Sequence, residues 1–209
     1  MDSIYIFGSS GHAKVIIDIV ISNNKTVAAL VDDNPLSAEL MNIPIISTSL
    51  FQFTCDMYFL IAVGNNRFRK NIVTKNNFKY DNAIHKTASI SNFVKLGMGN
   101  VVMPSSVINA DSTIGNHCII NSNSVVEHDC FLEDFVHISP SAALAGNVFV
   151  GEGAQVGIGA CVKQGIKIGR WSTIGAGSVI LNDVPDYAVV VGNPGRLIKY
   201  NSNADETNL

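Results

Sequence analysis

His128, set between Glu127 and Asp129, has the surroundings that proton transfer asks for. A carboxylate bonded to Nδ1–H fixes the tautomer of an imidazole and raises its basicity, leaving Nε2 to accept a proton. Spacing alone leaves two readings open for His128, a general base or a solvated surface residue. A second constellation lies near the N-terminus, where Gly8-Ser9-Ser10-Gly11 sits between a strand and a helix. Backbone N–H groups at such a junction cradle phosphate. The full GxGxxG pattern is missing. Asp32 follows about twenty residues on, at the end of the next strand, where acidic groups contact ribose in dinucleotide folds. A plain glycine turn with surface aspartates is the other reading. No His, Cys and Asp set recurs at metal-ligand spacing, so no metal is expected. The chain also lacks GxSxG, which argues against a serine nucleophile.

The elements that must position these groups come from a repeat. Stepping by six from Ile90 reaches Leu96, Val102, Ile108, Ile114, Ile120, Val126, Leu132, Ile138, Leu144, Val150, Val156, Val162, Ile168, Ile174 and Ile180, every one Ile, Leu or Val. Four residues beyond these aliphatics recur small side chains, among them Ser106, Ser112, Cys118, Ser124, Cys130, Ala142, Ala154, Ala160, Ser172 and Ser178. Directly after the aliphatic, Gly recurs at 97, 115, 151, 157, 169 and 175. This pattern predicts a prism of short strands and tight corners, with three hexads closing a triangular 18-residue coil. The branched residue points inward, the small one fits near the corner, and Gly is expected to supply the corner dihedrals. His117 then falls at a corner or on the coil surface. His137, half a coil beyond His128, falls on another face or edge.

Residues before the repeat read differently. Ile4–Phe7, Thr26–Val31 and Tyr58–Val63 are strand-like, Lys14–Ile21 is helical, and a polar helix carries Arg67, Arg69 and Lys70. That order predicts a small parallel sheet with flanking helices. The fold expected is therefore a small α/β Rossmann-like N-terminal domain over 1–83, followed by a left-handed parallel β-helix over 84–200. A polar tail, 201–209, is expected to be disordered. His85 lies at the domain boundary, where a solvated or structural role is the plainer reading.

Composition narrows the partners. The net charge is −3, and no basic block offers a footing for nucleic acid or an anionic membrane. Charged residues at 15% and aromatic ones at 8% point to a mainly aliphatic core. Cys55, Cys118, Cys130 and Cys161 show no CxxC spacing and read as free thiols. Met1-Asp2-Ser3 is no signal-peptide start, and Val15–Ile21 is too short to span a bilayer, so a cytoplasmic protein is expected.

Six segments together carry a resemblance over nearly the whole chain. They are Ile6-Phe7-Gly8-Ser9-Ser10-Gly11-His12-Ala13, Val31-Asp32-Asp33, Val63-Gly64-Asn65-Asn66-Arg67, Asn121 through Val125-Val126-Glu127-His128-Asp129-Cys130, Ala145-Gly146-Asn147-Val148, and Val191-Gly192-Asn193-Pro194-Gly195-Arg196. The sequence resembles the hexapeptide-repeat sugar acyltransferases of the sialic acid O-acetyltransferase and bacillosamine-pathway N-acetyltransferase type. The resemblance implies a homotrimer with active sites between subunits, and acetyl-CoA as co-substrate. It implies a nucleotide sugar on the N-terminal domain, with Gly8, Ser9, Ser10 and His12 near the phosphates, Asp32 and Asp33 near base and ribose, and Arg69 as a further phosphate ligand. His128 matches the general base and Asp129 the acidic residue that orients it, where members often carry the longer Glu. Asn121 and His137 match positions lining the acetyl and sugar pocket. Gly146 N–H would bind the thioester oxyanion, Ile158 and Ala176 would lie along the pantetheine, and Arg196 near the far end of CoA. Pro140 departs from the pattern and removes a donor near the site.

The expected reaction is acetyl transfer to the 4-amino group of a dTDP- or UDP-linked 4-amino-4,6-dideoxy sugar, by direct attack with His128 as base. O-acetylation of sialic acid is one alternative, and a non-catalytic β-helix or NAD-binding scaffold another. An intact nucleotide pocket next to the coils favours the amine, because a free sugar has no use for it.

Overall fold

A computed structural model describes residues 4–202; of the expected tail, residues 203–209 lie outside the described residues. The N-terminal part holds β1 (Ile4–Phe7), α1 (Gly11–Ser22), β2 (Val27–Asp32), β3 (Glu39–Leu40), β4 (Ile43–Ser47), β5 (Tyr58–Ile61), α2 (Asn66–Lys75) and β6 (Lys79–Tyr80). The sheet runs β3-β4-β2-β1-β5-β6, parallel throughout except for the β3–β4 hairpin. β1 and β5 are buried on both sides and read as unbroken apolar runs, as central parallel strands do. The hairpin and β6 are additions to the expected elements: β3 and β6 have only two residues each, and Pro44 interrupts the apolar run of β4. The buried core here is mainly aliphatic, as expected, with an aromatic cluster along one side of the sheet. Phe53 and Phe59 stack on Phe78, with ring centroids 5.1 and 4.2 Å apart. The series continues through Tyr80 and His117 to Phe135 on the coils.

From Ala83 to Ile180 the chain winds as a left-handed parallel β-helix of two-residue strands, each paired with the strand one coil away. Val101 pairs with Ile119 and Ile119 with His137, an offset of 18 residues. The aliphatic ladder is inside: Ile114 is 1% exposed, and Ile108, Val126 and Ile168 are fully enclosed. Ile90 and Leu96 are only partly buried, because they belong to the first coil at the open end of the prism. Each enclosed branched side chain contributes on the order of 2 kcal/mol.

Corner geometry departs from expectation. None of the glycines that follow the aliphatics has positive φ; that conformation falls two residues later, at His117, Asn123, Asp129, Phe135, Ser141 and Asn147 among others. What those glycines avoid is the next coil. A Cβ on Gly115 would lie 2.5 Å from Asp134 Oδ1 and 2.8 Å from Asp134 N.

The three sheets of the prism differ on their outer sides. One, through Ala83, Val101, Ile119, His137, Gln155 and Thr173, is covered by the N-terminal part: Val101 and Ile119 pack with Ile16, Ile17 and Val20 of α1. The second presents Val107, Val125, Ala143, Cys161 and Val179, and is apolar apart from Ser89 in its first strand. The third presents Lys95, Thr113, Phe131, Phe149 and Lys167. After Ile180 the chain adds an antiparallel pair, Ala188–Val191 with Arg196–Tyr200, to the covered sheet. Asn201 closes this end by donating to Trp171 O at 3.0 Å and Thr173 Oγ1 at 3.1 Å.

Candidate active site

His128 and Asp129 stand on the corner between the apolar and the lysine-bearing faces, both well exposed at 62% and 58%. Asp129 takes the left-handed conformation (φ 60°), which Asp tolerates better than most residues. Its Oδ2 lies 2.7 Å from His128 Nδ1, so the shorter carboxylate reaches the ring. That hydrogen bond, backed by the charges of Asp129 and Glu127, outweighs desolvation and holds the imidazole above its ordinary pKa. The His128 ring lies against Gly146, one coil away. A Cβ there would be 2.6 Å from Cε1 and 2.7 Å from Nε2, so any larger residue would displace the ring. The ladder around Gly146 uses the flanking N–H groups, Ala145 to Val162 O at 3.0 Å and Asn147 to His128 O at 2.9 Å.

His137 occupies a contrasting place. It is 9% exposed on the covered face, with Nε2 3.0 Å from Asn121 Nδ2 and a buried Nδ1 that has no partner. Burial, then the charges of Arg69 and His12, pull its pKa down to about 3. His12, in the first turn of α1, is lowered to about 4 by burial and then Arg69, and its buried Nε2 is also unpartnered. Sequence reading placed His117 at a corner, and so it is (φ 54°); but it is 6% exposed, between Tyr80 and Phe135, rather than on the surface.

The Gly8–Gly11 turn forms where β1 meets α1. Gly8 needs its φ of 101°, and a Cβ would come within 3.1 Å of Ala62 O. Asp32 Oδ2 accepts from Ser9 N–H (2.8 Å) and Ser9 hydroxyl (2.6 Å), while Oδ1 accepts from Asn34 N–H. Partial burial opposes the charge on Asp32, yet those hydrogen bonds keep the carboxyl below its ordinary pKa. Asp33 accepts from Thr48 Oγ1 at 2.8 Å. Ser10 caps α1 by position only, without a side-chain hydrogen bond.

Arg69 corrects an expectation. All of its N–H groups are engaged inside the protein: Nε to His117 O, Nη1 to Val63 O and Gly64 O, Nη2 to Asn66 Oδ1 and Phe135 O. A guanidinium has five N–H donors, so none is left for a phosphate.

At the opposite edge of the apolar face, Ile158 and Ala176 stack one coil apart, both exposed, with Gly177 N–H bonded to Ile158 O at 2.8 Å. Pro140 stands on the same edge and leaves the stacking intact, its carbonyl accepting from Gly159 N–H at 2.9 Å. Arg196 is exposed in the last strand pair. Among the described residues, no group of three or more His, Cys, Asp and Glu is placed to hold a metal, and no helix is long and apolar enough to cross a membrane.

Comparison with known proteins agrees with both halves of the molecule. The PglD N-terminal domain profile matches residues 3–76, and the bacterial transferase hexapeptide (six repeats) profile matches 93–128 and 147–182. UDP-N-acetylbacillosamine N-acetyltransferase of Bacillus subtilis is 41% identical over 112 residues, 49% of this chain and 52% of that protein. The matched stretch thus spans about half the length of that curated relative. A variant of perosamine N-acetyltransferase from Caulobacter crescentus, in complex with CoA and GDP-perosamine, superposes with a TM-score of 0.88 at 37% identity, covering 95% of this chain and 98% of that one. The acetyltransferase domain of PglB from Neisseria gonorrhoeae, in complex with acetyl coenzyme A, gives 0.86 at 36% identity, covering 94% and 98%.

Proposed function

The chain belongs to the NeuD/PglD-like family of sugar N-acetyltransferases, and on that premise we propose that it transfers acetyl from acetyl-CoA to an amino group of a nucleotide-linked sugar. The observation that carries the reading is the exposed His128–Asp129 pair lying over Gly146. We further assign the acceptor as the 4-amino group of a 4-amino-4,6-dideoxy sugar.

His128 Nε2 takes the proton that the amine loses as it attacks the thioester carbonyl, with Asp129 holding the imidazole in the tautomer that leaves Nε2 free. No hydrogen bond among the described residues engages Gly146 N–H, which leaves it to stabilise the developing oxyanion. Ile158 and Ala176 form an apolar rail for pantetheine, with Arg196 at its far end. On the N-terminal side the diphosphate is received at the α1 N-terminus by Ser10 N–H, since Gly8 N–H and Ser9 N–H are already bonded to Val31 O and Asp32 Oδ2. Asp32 and Asp33 keep outer lone pairs for ribose and base. Neutral His12 and His137, with Asn121, offer hydrogen-bonding groups to the sugar.

These groups flank the apolar face on both edges, and one chain does not bring His128 to His137. A homotrimer with the three apolar faces turned to a common axis does so: the His128 corner of one copy then meets the Ile158–Ala176 edge and the N-terminal domain of the next. Of the three faces this one is free of lysine and uncovered by α1, which supports its use as the contact. A trimer is expected by light scattering, and a fully active monomer at micromolar concentration would overturn the shared site.

The direct test is thiol release from acetyl-CoA with a panel of UDP-, dTDP- and GDP-linked amino sugars beside hydroxyl acceptors, sialic acid included. GDP belongs in the panel because the Caulobacter relative is in complex with GDP-perosamine. Turnover with an amino sugar nucleotide supports the proposal. Turnover with sialic acid alone would replace it by O-acetylation.

A further inference from the structure

Arg69 is the least exposed charged side chain of the molecule's interior, 1% exposed, and among the described residues no carboxylate pairs with it. A buried cation is tolerated only when its hydrogen bonds are complete, and this one satisfies its whole fork with carbonyl and amide oxygens. The acceptors fall in two groups. Val63 O and Gly64 O belong to the loop between β5 and α2, and Asn66 Oδ1 to the first residue of α2, beside the Gly8 turn, where Gly8 packs on Ala62 O. His117 O and Phe135 O belong to successive coils at one corner of the β-helix.

Neighbouring contacts extend the same seam. Asn66 Nδ2 donates to Gly153 O at 2.9 Å, the next corner in that stack, and Lys70 pairs with Glu152 at 2.6 Å. The first turns of α2 therefore grip three corners in register, at 117, 135 and 153, with Arg69 across the middle.

We propose that Arg69 is the positioning residue for the sugar-binding half of the site, clamping the loop from Val63 into the start of α2 to the coil corners so that the Gly8–His12 segment meets His137 in one fixed register. The proposal rests on the nucleotide-sugar reading above. Arg69 touches no substrate. It acts through the loop it holds and through its charge. The titratable groups facing His137 are His12 from α1 and Arg69 from α2; Arg69 also faces His117 and Cys118, which in turn feel Asp134, and Tyr80 packs on His117. Burial and the Arg69 charge both disfavour a charged imidazole there, so on this proposal His12 and His137 meet the sugar as neutral hydrogen-bonding rings.

The test uses the full chain and two variants, Arg69→Lys, which keeps the cation and loses the fork, and Arg69→Gln, which loses both. Misplacement on the ångström scale costs up to about a hundredfold, and here the loss is expected in the sugar-nucleotide KM, at about tenfold or more in each variant. The acetyl-CoA KM and the kcat at saturation should change little. Imidazole titration by NMR supplies a readout that needs no turnover: the His137 midpoint should rise clearly in Arg69→Gln and less in Arg69→Lys. Asn66→Ala removes one acceptor and leaves the arginine. It should raise the sugar-nucleotide KM several-fold if neither Arg69 variant folds. A folded variant with unchanged sugar-nucleotide KM, or with both KM values rising together, would reduce Arg69 to a structural staple. Unshifted His137 titration in Arg69→Gln would refute the electrostatic half. A wild-type protein that acetylates no amino sugar would defeat the functional reading alone, since binding of the sugar nucleotide by calorimetry and the titrations still judge Arg69.

Discussion

His128 and His137 lie nine residues apart in sequence and on either side of the same apolar face, yet their surroundings are opposite. His128 is exposed, bonded to a carboxylate and raised in pKa. His137 is enclosed, bonded to an amide and lowered to about 3. The difference teaches that histidine count near a site says little about roles. A raised, solvent-reaching imidazole is fit to take a proton, whereas one whose protonation is blocked by burial and Arg69 can only donate or accept a neutral hydrogen bond. On the proposed reading the division also falls along the halves of the molecule, with the chemistry assigned to the coil corner and recognition to the seam with the N-terminal part.

The largest effect that bears on this contrast strikes the scaffold separating the two rings. Val126→Asp places a carboxylate among enclosed aliphatics one strand from His128 and should cost several kcal/mol, leaving little folded protein. An unchanged thermal transition would mean that the ladder does not hold the corner. Next in size is His117→Ala, which opens a hole between Tyr80 and Phe135 and should cost about 2 kcal/mol in urea unfolding while kcat stays near normal.

Asp129→Asn keeps the left-handed backbone comfortable and loses only the charge, so kcat should fall about tenfold, and the His128 midpoint should drop toward its ordinary value in an NMR titration. An unmoved midpoint would detach Asp129 from the base.

The smallest effect is on stability against pH. His12, His117 and His137 have folded pKa values of about 4, 4 and 3, below the ordinary 6.5, so the unfolded chain binds protons that the folded one refuses. Their contribution is whole above about pH 6.5 and is lost as pH falls toward 4 for His12 and His117 and toward 3 for His137. Tm should decline over that window, and His117→Phe should flatten the decline. A decline equally steep in that variant would show that His117 is not among its causes.

Much of this was legible in the residues themselves. A period of six repeated from Ile90 to Ile180 is too regular for chance, and the prism follows from it. The N-terminal sheet was legible in the unbroken apolar runs of β1 and β5, and not in the two-residue strands Lys79–Tyr80 and Glu39–Leu40 or in Ile43–Ser47, where Pro44 interrupts the apolar run. The left-handed corners were missed because the residue there varies from Asn to Phe, and the glycines that do occupy some of them, such as Gly153, Gly159 and Gly177, lie two places after glycines that instead meet a steric limit. Arg69 was read as a phosphate ligand because an arginine after Gly64-Asn65 looks available. Its partners are backbone carbonyls from distant coils, which no residue type advertises. The His128–Asp129 contact is local, between adjacent residues, and that is why it could be read directly.

The central claim is that the raised imidazole, not the buried one, takes the proton. Steady-state kcat of His128→Ala and of His137→Ala, each first shown to be folded and assembled like the parent, decides it. The account predicts a loss of about a hundredfold or more for His128→Ala with both KM values little changed, and for His137→Ala a loss felt mainly in the sugar-nucleotide KM. Near-normal turnover in His128→Ala, with chemistry abolished in His137→Ala, would contradict it and move the base to the covered face.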